Sequence, residues 1–228
     1  MQAAFFDLDK TLITVNSAKL WMMREYRHGR LKFTDIAFGT LFLFAYHMGF
    51  VDMERATRKA LATLKGLTED EIRRLTEAWF REEVVQHEAS GARAVIEDHR
   101  AQGHPLILLT SSSSYASACA VDHWGLDSFL SMRYEVEDGR LTGEVIKPLC
   151  YGEGKTHYAE ALAAADGIDL DGSWFYTDSY TDLPMLERVG NPRIVNPDPR
   201  LRRLAKRRGW PILDWSQADA DVTGGETQ

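Results

Sequence analysis

Ala3-Ala4-Phe5-Phe6-Asp7-Leu8-Asp9-Lys10-Thr11 opens the chain with a short apolar run that ends in two carboxylates two residues apart. The run is too short for a helix and suits one buried strand. In extended backbone, residues i and i+2 share a side, so Asp7 and Asp9 project together just beyond that strand. Two later runs repeat the pattern: Pro105 to Leu109 closes on Thr110, and Ser173 to Tyr176 closes on Thr177-Asp178. Helical patterns lie at about 91–101, 114–123, 155–165, 182–189 and 199–208, with Gly103, Gly125, Gly167 and Gly209 near their ends. Strands alternating with helices imply an α/β fold, its parallel sheet covered on both faces. Ligands bind such sheets at the carboxyl ends of the strands, where all three runs place polar residues.

Between the first run and the next core element, Ser17 to Glu88 carries helix formers and no strand signal. Leu61, Leu64, Ile72, Leu75, Trp79 and Phe80 supply apolar faces at helical spacing. The expected organisation is an α/β core over 1–14 and 89–215, a helical cap over 15–88, and a disordered polar tail over 216–228. Residues 133–146, with Glu137-Asp-Gly-Arg140 between β-prone runs, predict a hairpin.

A net charge of −7 disfavours nucleic acid as a partner but leaves room for a small phosphorylated substrate at one local positive site. Cys119 and Cys150 are far apart, so neither a disulfide framework nor a zinc site is indicated. The N-terminus has no basic region ahead of an apolar stretch, and the expected location is the cytoplasm. Ile36 to Val51 is strongly apolar yet shorter than the roughly 20 residues of a spanning helix. It reads first as a buried helix; the sharper alternative is an apolar substrate groove or a peripheral membrane contact suited to a lipid phosphate.

Asp7, Asp9, Asp178 and Asp182 converge at the same sheet edge, the last at i+4 from Asp178 on a helix opening. Carboxylates so gathered repel one another unless a cation sits among them, and oxygen-only ligands suit Mg²⁺. A carboxylate can accept a phosphoryl group as an acyl phosphate, and a neighbouring acid with a raised pKa can protonate the leaving oxygen. Thr110, with Ser111 to Ser114 at a helix start, offers a hydroxyl and backbone N–H groups to phosphate oxygens. Lys155, in Gly152-Glu-Gly-Lys155, adds positive charge. The histidines show no metal-ligand spacing, and the basic run from Arg200 to Arg208 reads as a solvated helix face.

In that order, Asp7-x-Asp9-x-Thr11, Thr110, Lys155 and Asp178-x-x-x-Asp182 resemble the four signatures of the haloacid dehalogenase (HAD) superfamily, subfamily IB, in the branch similar to phosphoserine phosphatases. The resemblance covers residues 5 to about 190. It implies a Rossmann-like parallel-sheet core with an inserted C1-type helical cap, and phosphomonoester hydrolysis through an aspartyl-phosphate. Asp7 would be the nucleophile and Asp9 the acid and base, with Thr11 helping to position Asp9. Mg²⁺ would be held by the Asp7 carboxylate, the Asp9 backbone carbonyl and Asp178, with Asp182 supporting its water shell.

The chain also departs from that pattern. Where the similar phosphatases carry a cap glutamate for the substrate ammonium, this sequence has Asn16. Aligning Met53 to Lys65 with their cap helix puts Ala60 at the arginine that reads the substrate carboxylate, with Arg58 nearby. Asn16, Met53 and Arg58 are therefore the candidate specificity residues, and a zwitterionic substrate would be poorly bound. Thr181 stands where the fourth signature usually has Asn. The expected substrate is a small phosphorylated metabolite or a lipid-like phosphate. The alternatives are phosphoserine itself, transfer of the phosphoryl group to another acceptor, and a non-catalytic module on the same fold. Paired carboxylates also serve glycosidases, but Lys155 and Thr110 would then have no task.

Overall fold

The computed structural model describes residues 1–30 and 53–216. Its centre is β1 (Ala4–Phe6), and the strength of that short strand comes from its surroundings. Ala4 and Phe6 point into one fully buried cluster with Leu106, Leu108 and Ile96, while Ala3 and Phe5 point into another with Ile107, Leu109, Phe175 and Ile194. Both faces are covered, which is why the run is continuously apolar and does not alternate.

Parallel neighbours flank it on each side: β2 (Leu106–Ser113) pairs Phe6 with Leu108, and β6 (Trp174–Thr177) pairs Phe6 with Tyr176. Outside them lie β3 (Ser128–Met132) beyond β2, then β7 (Asn191–Val195) and β8 (Ile212–Leu213) beyond β6. The order β3-β2-β1-β6-β7-β8 therefore puts Asp7, Thr110 and Thr177-Asp178 side by side at one sheet edge. The three strands missing from the sequence reading lack apolar runs. β3 is serine-rich, β7 carries Pro192 and Arg193, and β8 has two residues.

β2 also runs further than its apolar stretch. After a register irregularity beyond Leu109, Ser113 pairs with Met132, so Thr110 to Ser113 are strand. The helix begins at Ser114, as the sequence pattern expects, because the Ser113 hydroxyl accepts the free Ala116 N–H.

The insertion supplies α1 (Ser17–Arg27), α2 (Met53–Leu61) and α3 (Glu69–Trp79), the last opened by a reciprocal Thr68/Glu71 capping box. Core helices follow as α4 (Ala92–Ala101), α5 (Ser114–Trp124), α6 (Glu153–Asp166), α7 (Leu183–Arg188) and α8 (Pro199–Arg208). The expected hairpin is β4 (Tyr134–Glu137) and β5 (Arg140–Val145), turned at Asp138 and Gly139, both with positive φ as a type I′ turn needs. It packs on the insertion: Leu141 joins Ile72, Leu64, Leu67 and Trp21, and the Leu67 and Leu141 backbones hydrogen-bond.

The apolar stretch 36–51 and most of the polar tail, 217–228, lie outside the described residues. Among the described residues no helix is long and apolar enough to cross a membrane.

Candidate active site

Asp7 leaves β1 with its N–H still donating to the Tyr176 carbonyl at 2.9 Å, so the strand ladder sets its direction. Its carboxylate is 6% exposed and accepts from Lys155 Nζ at 3.0 Å. The same ammonium reaches Asp182 Oδ2 at 2.8 Å, and Thr177 Oγ1 donates to that oxygen at 2.7 Å. Lys155 is itself only 2% exposed, which excludes a solvated helix-start lysine. Its position depends on Gly154, where a Cβ would lie 1.8 Å from the Leu149 carbonyl oxygen. Asp182 precedes α7 but caps nothing with its side chain, which is committed to Lys155 and Thr177.

Asp9 is held separately. The Ser17 N–H donates to its Oδ1 at 2.9 Å and Asn16 Nδ2 to its Oδ2 at 3.1 Å. The Ser17 hydroxyl then meets the Ser112 hydroxyl at 3.2 Å, tying the start of α1 to the end of β2. Thr11 is fully buried, but its hydroxyl has no hydrogen-bond partner among the described residues, Asp9 included. Thr110 is buried and accepts the Ser112 N–H at 3.2 Å, leaving its own hydroxyl proton available to an oxygen. The Ser111 hydroxyl donates to the Cys150 carbonyl at 2.9 Å.

The electrostatics of this edge are dominated by buried carboxylates. Burial pushes Asp7 up to about 7; Lys155 pulls it down, while Asp182 and Asp9 add to the rise. Burial also raises Asp9, against the Ser17 hydrogen bonds. Asp178, 6% exposed, is raised well above the usual carboxylate range by burial and by the Asp7, Asp182 and Asp9 charges, with Lys10 opposing. Burial disfavours the Lys155 ammonium, yet Asp182 and Asp7 outweigh it and hold the lysine above its ordinary range. Among the described residues no three His, Cys, Asp or Glu side chains assemble as a ligand set. Two carboxylates, Asp7 and Asp178, lie near enough for the Asp7 charge to raise Asp178, and such a pair fits a hard divalent cation completed by backbone and water oxygens.

The cap candidates are placed differently. Met53 opens α2. Arg58 is spent on ion pairs with Glu54 at 3.0 Å and, through Nε, with Glu144 on β5 at 2.8 Å. Thr181 Oγ1 bonds the Ser179 hydroxyl at 2.8 Å within the turn before α7.

At the carboxyl edge of the parallel sheet, a buried lysine thus bridges the aspartate after the first strand to a later one. The profile of the haloacid dehalogenase-like hydrolases fits residues 4–187. The chain belongs to that family. Phosphoserine phosphatase SerB1 of Mycobacterium tuberculosis is 33% identical over 218 residues, covering 93% of this chain and 70% of that protein. A histidinol-phosphatase of Neisseria meningitidis is 28% identical over 217 residues, covering 93% and 98%. A crystal structure of a Bordetella pertussis protein of unknown function superposes with a TM-score of 0.84 at 30% identity, over 94% of this chain and 98% of that one.

Two parts of this HAD site escaped the sequence reading. Thr177 closes a strand, and its donation to Asp182 needs the fold to be seen. Asp198 accepts Tyr180 N–H at 2.7 Å, caps α8 through the Arg200 and Leu201 N–H groups, and donates its own N–H to the Asp178 carbonyl at 3.0 Å. Its readable signal was Asp198-Pro199, an N-cap before a first-turn proline.

Proposed function

We propose that this HAD hydrolase is a magnesium-dependent phosphomonoesterase that works through an aspartyl-phosphate on Asp7. The observation that carries the reading is Lys155, buried between Asp7 and Asp182. Its bond to Asp7 Oδ1 leaves Oδ2 to attack phosphorus, and a fixed positive charge beside the attacking group stabilises charge on the transferring phosphoryl.

In the first step an Asp7 oxygen forms a bond to phosphorus as the bond to the leaving oxygen breaks. Asp9 gives that oxygen its proton. In the second, Asp9 takes a proton from water as the water oxygen bonds phosphorus and Asp7 departs. Asp9's raised pKa suits a group that must begin protonated. Thr110 and the backbone after it offer donors to the phosphoryl oxygens. Asp7, Asp178 and the Asp9 carbonyl would hold Mg²⁺, which when bound screens the phosphate's charge from the carboxylates.

The substrate class is a small phosphorylated metabolite. Relatives named for phosphoserine and for histidinol phosphate bracket the choice. Phosphoserine itself is disfavoured, because Arg58 is paired with acids and Asn16 is occupied by Asp9, leaving neither for a zwitterion. Asp7→Asn should abolish phosphate release from an aryl phosphate in Mg²⁺, and chelator should silence the wild type. Near-normal turnover by the variant would refute the assignment.

A further inference from the structure

We propose that Asn16 is a positioning residue for Asp9 and does not read the substrate. The inference rests on the general-acid reading of Asp9 given above.

Both ends of the Asn16 side chain are engaged within the protein. Its Oδ1 accepts the Lys19 N–H at 3.0 Å, which makes Asn16 the N-cap of α1, with the extended backbone such a cap requires (φ −94°, ψ 119°). Its Nδ2 donates to Asp9 Oδ2 at 3.1 Å. These two bonds, one to a helix end and one to a carboxylate, hold the amide in one orientation. The other Asp9 oxygen accepts the next backbone N–H, that of Ser17, at 2.9 Å. Asp9 is thus gripped on both oxygens by consecutive residues at the start of α1. Thr11, the residue expected to steady it, has a buried hydroxyl with no hydrogen-bond partner among the described residues.

The chemistry favours an amide here. A carboxylate at position 16 would repel Asp9, and a cation would favour the ionised form over the protonated one. A neutral N–H donor directs the carboxyl in either state, and each Asp9 oxygen keeps a second lone pair for the proton it must carry. The same helix start reaches the end of β2, because Ser17 Oγ contacts Ser112 Oγ at 3.2 Å. Asn16 thereby joins the acid and the first helix of the insertion.

The capping and donating roles separate by substitution. Asn16→Ser keeps an oxygen that can cap α1 but is too short to donate to Asp9; Asn16→Asp keeps the cap and sets a carboxylate against a carboxylate. The assay compares kcat/KM on phenyl phosphate, whose basic leaving group needs a proton, with dinitrophenyl phosphate, whose leaving group departs as an anion. Thermal midpoints are recorded in parallel, and Asp9→Asn serves as the reference. Asn16→Ser should melt close to the wild type and Asn16→Asp lower, since its carboxylate faces Asp9, while both lose about 10- to 100-fold on phenyl phosphate and less than about threefold on dinitrophenyl phosphate. If Asp9→Asn shows that selectivity and the Asn16 variants do not, the role of Asn16 is refuted and the acid reading stands. Equal losses on both substrates by the Asn16 variants also overturn it. Equal losses by Asp9→Asn refute the general-acid reading itself, and the inference with it.

Discussion

Replacing Lys155 by Met removes a charge that the buried edge of the sheet depends on. The ammonium sits 3.0 Å from Asp7 and 2.8 Å from Asp182, each contact representing about 5 to 6 kcal/mol of attraction at an effective dielectric of about 20. Desolvation of three charges offsets much of that, so the net cost of leaving two carboxylates without their cation is about 3–5 kcal/mol. Against a domain stability of about 5–15 kcal/mol this is a large fraction. The loss should depend on pH. Asp7, at about 7 with Lys155 beside it, rises further without it. A carboxyl raised in the folded state is protonated there and ionised when unfolded, so its contribution is most favourable in acid and is lost as pH climbs from 3.8 through the raised value. Urea denaturation in chelator should therefore show a smaller penalty near pH 5 than near pH 8. Adding Asp182→Asn should recover about 1–2 kcal/mol by removing one stranded charge. A Lys155→Met penalty below about 1 kcal/mol near pH 8, or one equal at both pH values, would refute the electrostatic account. Activity on an aryl phosphate should fall by at least about 100-fold, with the fall in kcat.

Two further perturbations probe the scaffold. His99 is buried with its ring between the Tyr176 hydroxyl and His104, and burial, then His104, depress its pKa to about 4. It stays neutral in the fold while the unfolded chain takes a proton at 6.5, so its contribution is complete above that value and is lost as pH falls towards 4. Between neutral pH and about pH 5 the wild type should lose about 2 kcal/mol more in urea midpoints than His99→Gln; parallel losses would dismiss the idea. Asp198→Ala removes a helix cap and the Tyr180 N–H acceptor, and should cost about 1–2 kcal/mol. Because the lost side chain also holds the N–H of Tyr180, two residues after Asp178, the Mg²⁺-dependent rise in thermal midpoint should need more metal in the variant. An unchanged Mg²⁺ titration would separate Asp198 from the metal loop.

What was legible in the sequence follows from how local each signal is. Asp7 and Asp9 could be read because burial on both faces makes β1 a continuous apolar run, and the residue after such a run must sit at the sheet edge. The same logic reached Thr110 and Asp178. It failed for β7 and β8, whose place depends on pairing with β6 and not on their own composition, and it stopped β2 at Leu109 because the serines beyond it become strand only by meeting β3. Asn16 was readable as a departure from the family pattern, but its use was not: the amide meets Asp9 only because the chain folds back over seven residues to start α1. Thr11 shows the reverse case, a signature residue whose hydroxyl finds no hydrogen-bond partner among the described residues.

The distribution of charge explains why so much of the edge is held by hydrogen bonds to neutral groups. Asp7, Asp178 and Asp182 are all nearly inaccessible, and the one buried ammonium among them is already divided between Asp7 and Asp182. Burial and the charges of Asp7, Asp182 and Asp9 drive the Asp178 carboxyl well up, against the pull of Lys10. Lys10 already acts on both Asp178 and Asp9, and a further cation would favour still more the ionised form of Asp9, the group proposed to deliver a proton. Neutral donors from Asn16, Ser17 and Thr177 orient the acids without that cost. The Mg²⁺ proposed at Asp7 and Asp178 would supply further positive charge there. On the proposed mechanism the lysine bonded to Asp7 serves the nucleophile while the Asn16 and Ser17 N–H groups orient the acid, so that two carboxylates two residues apart can take different roles.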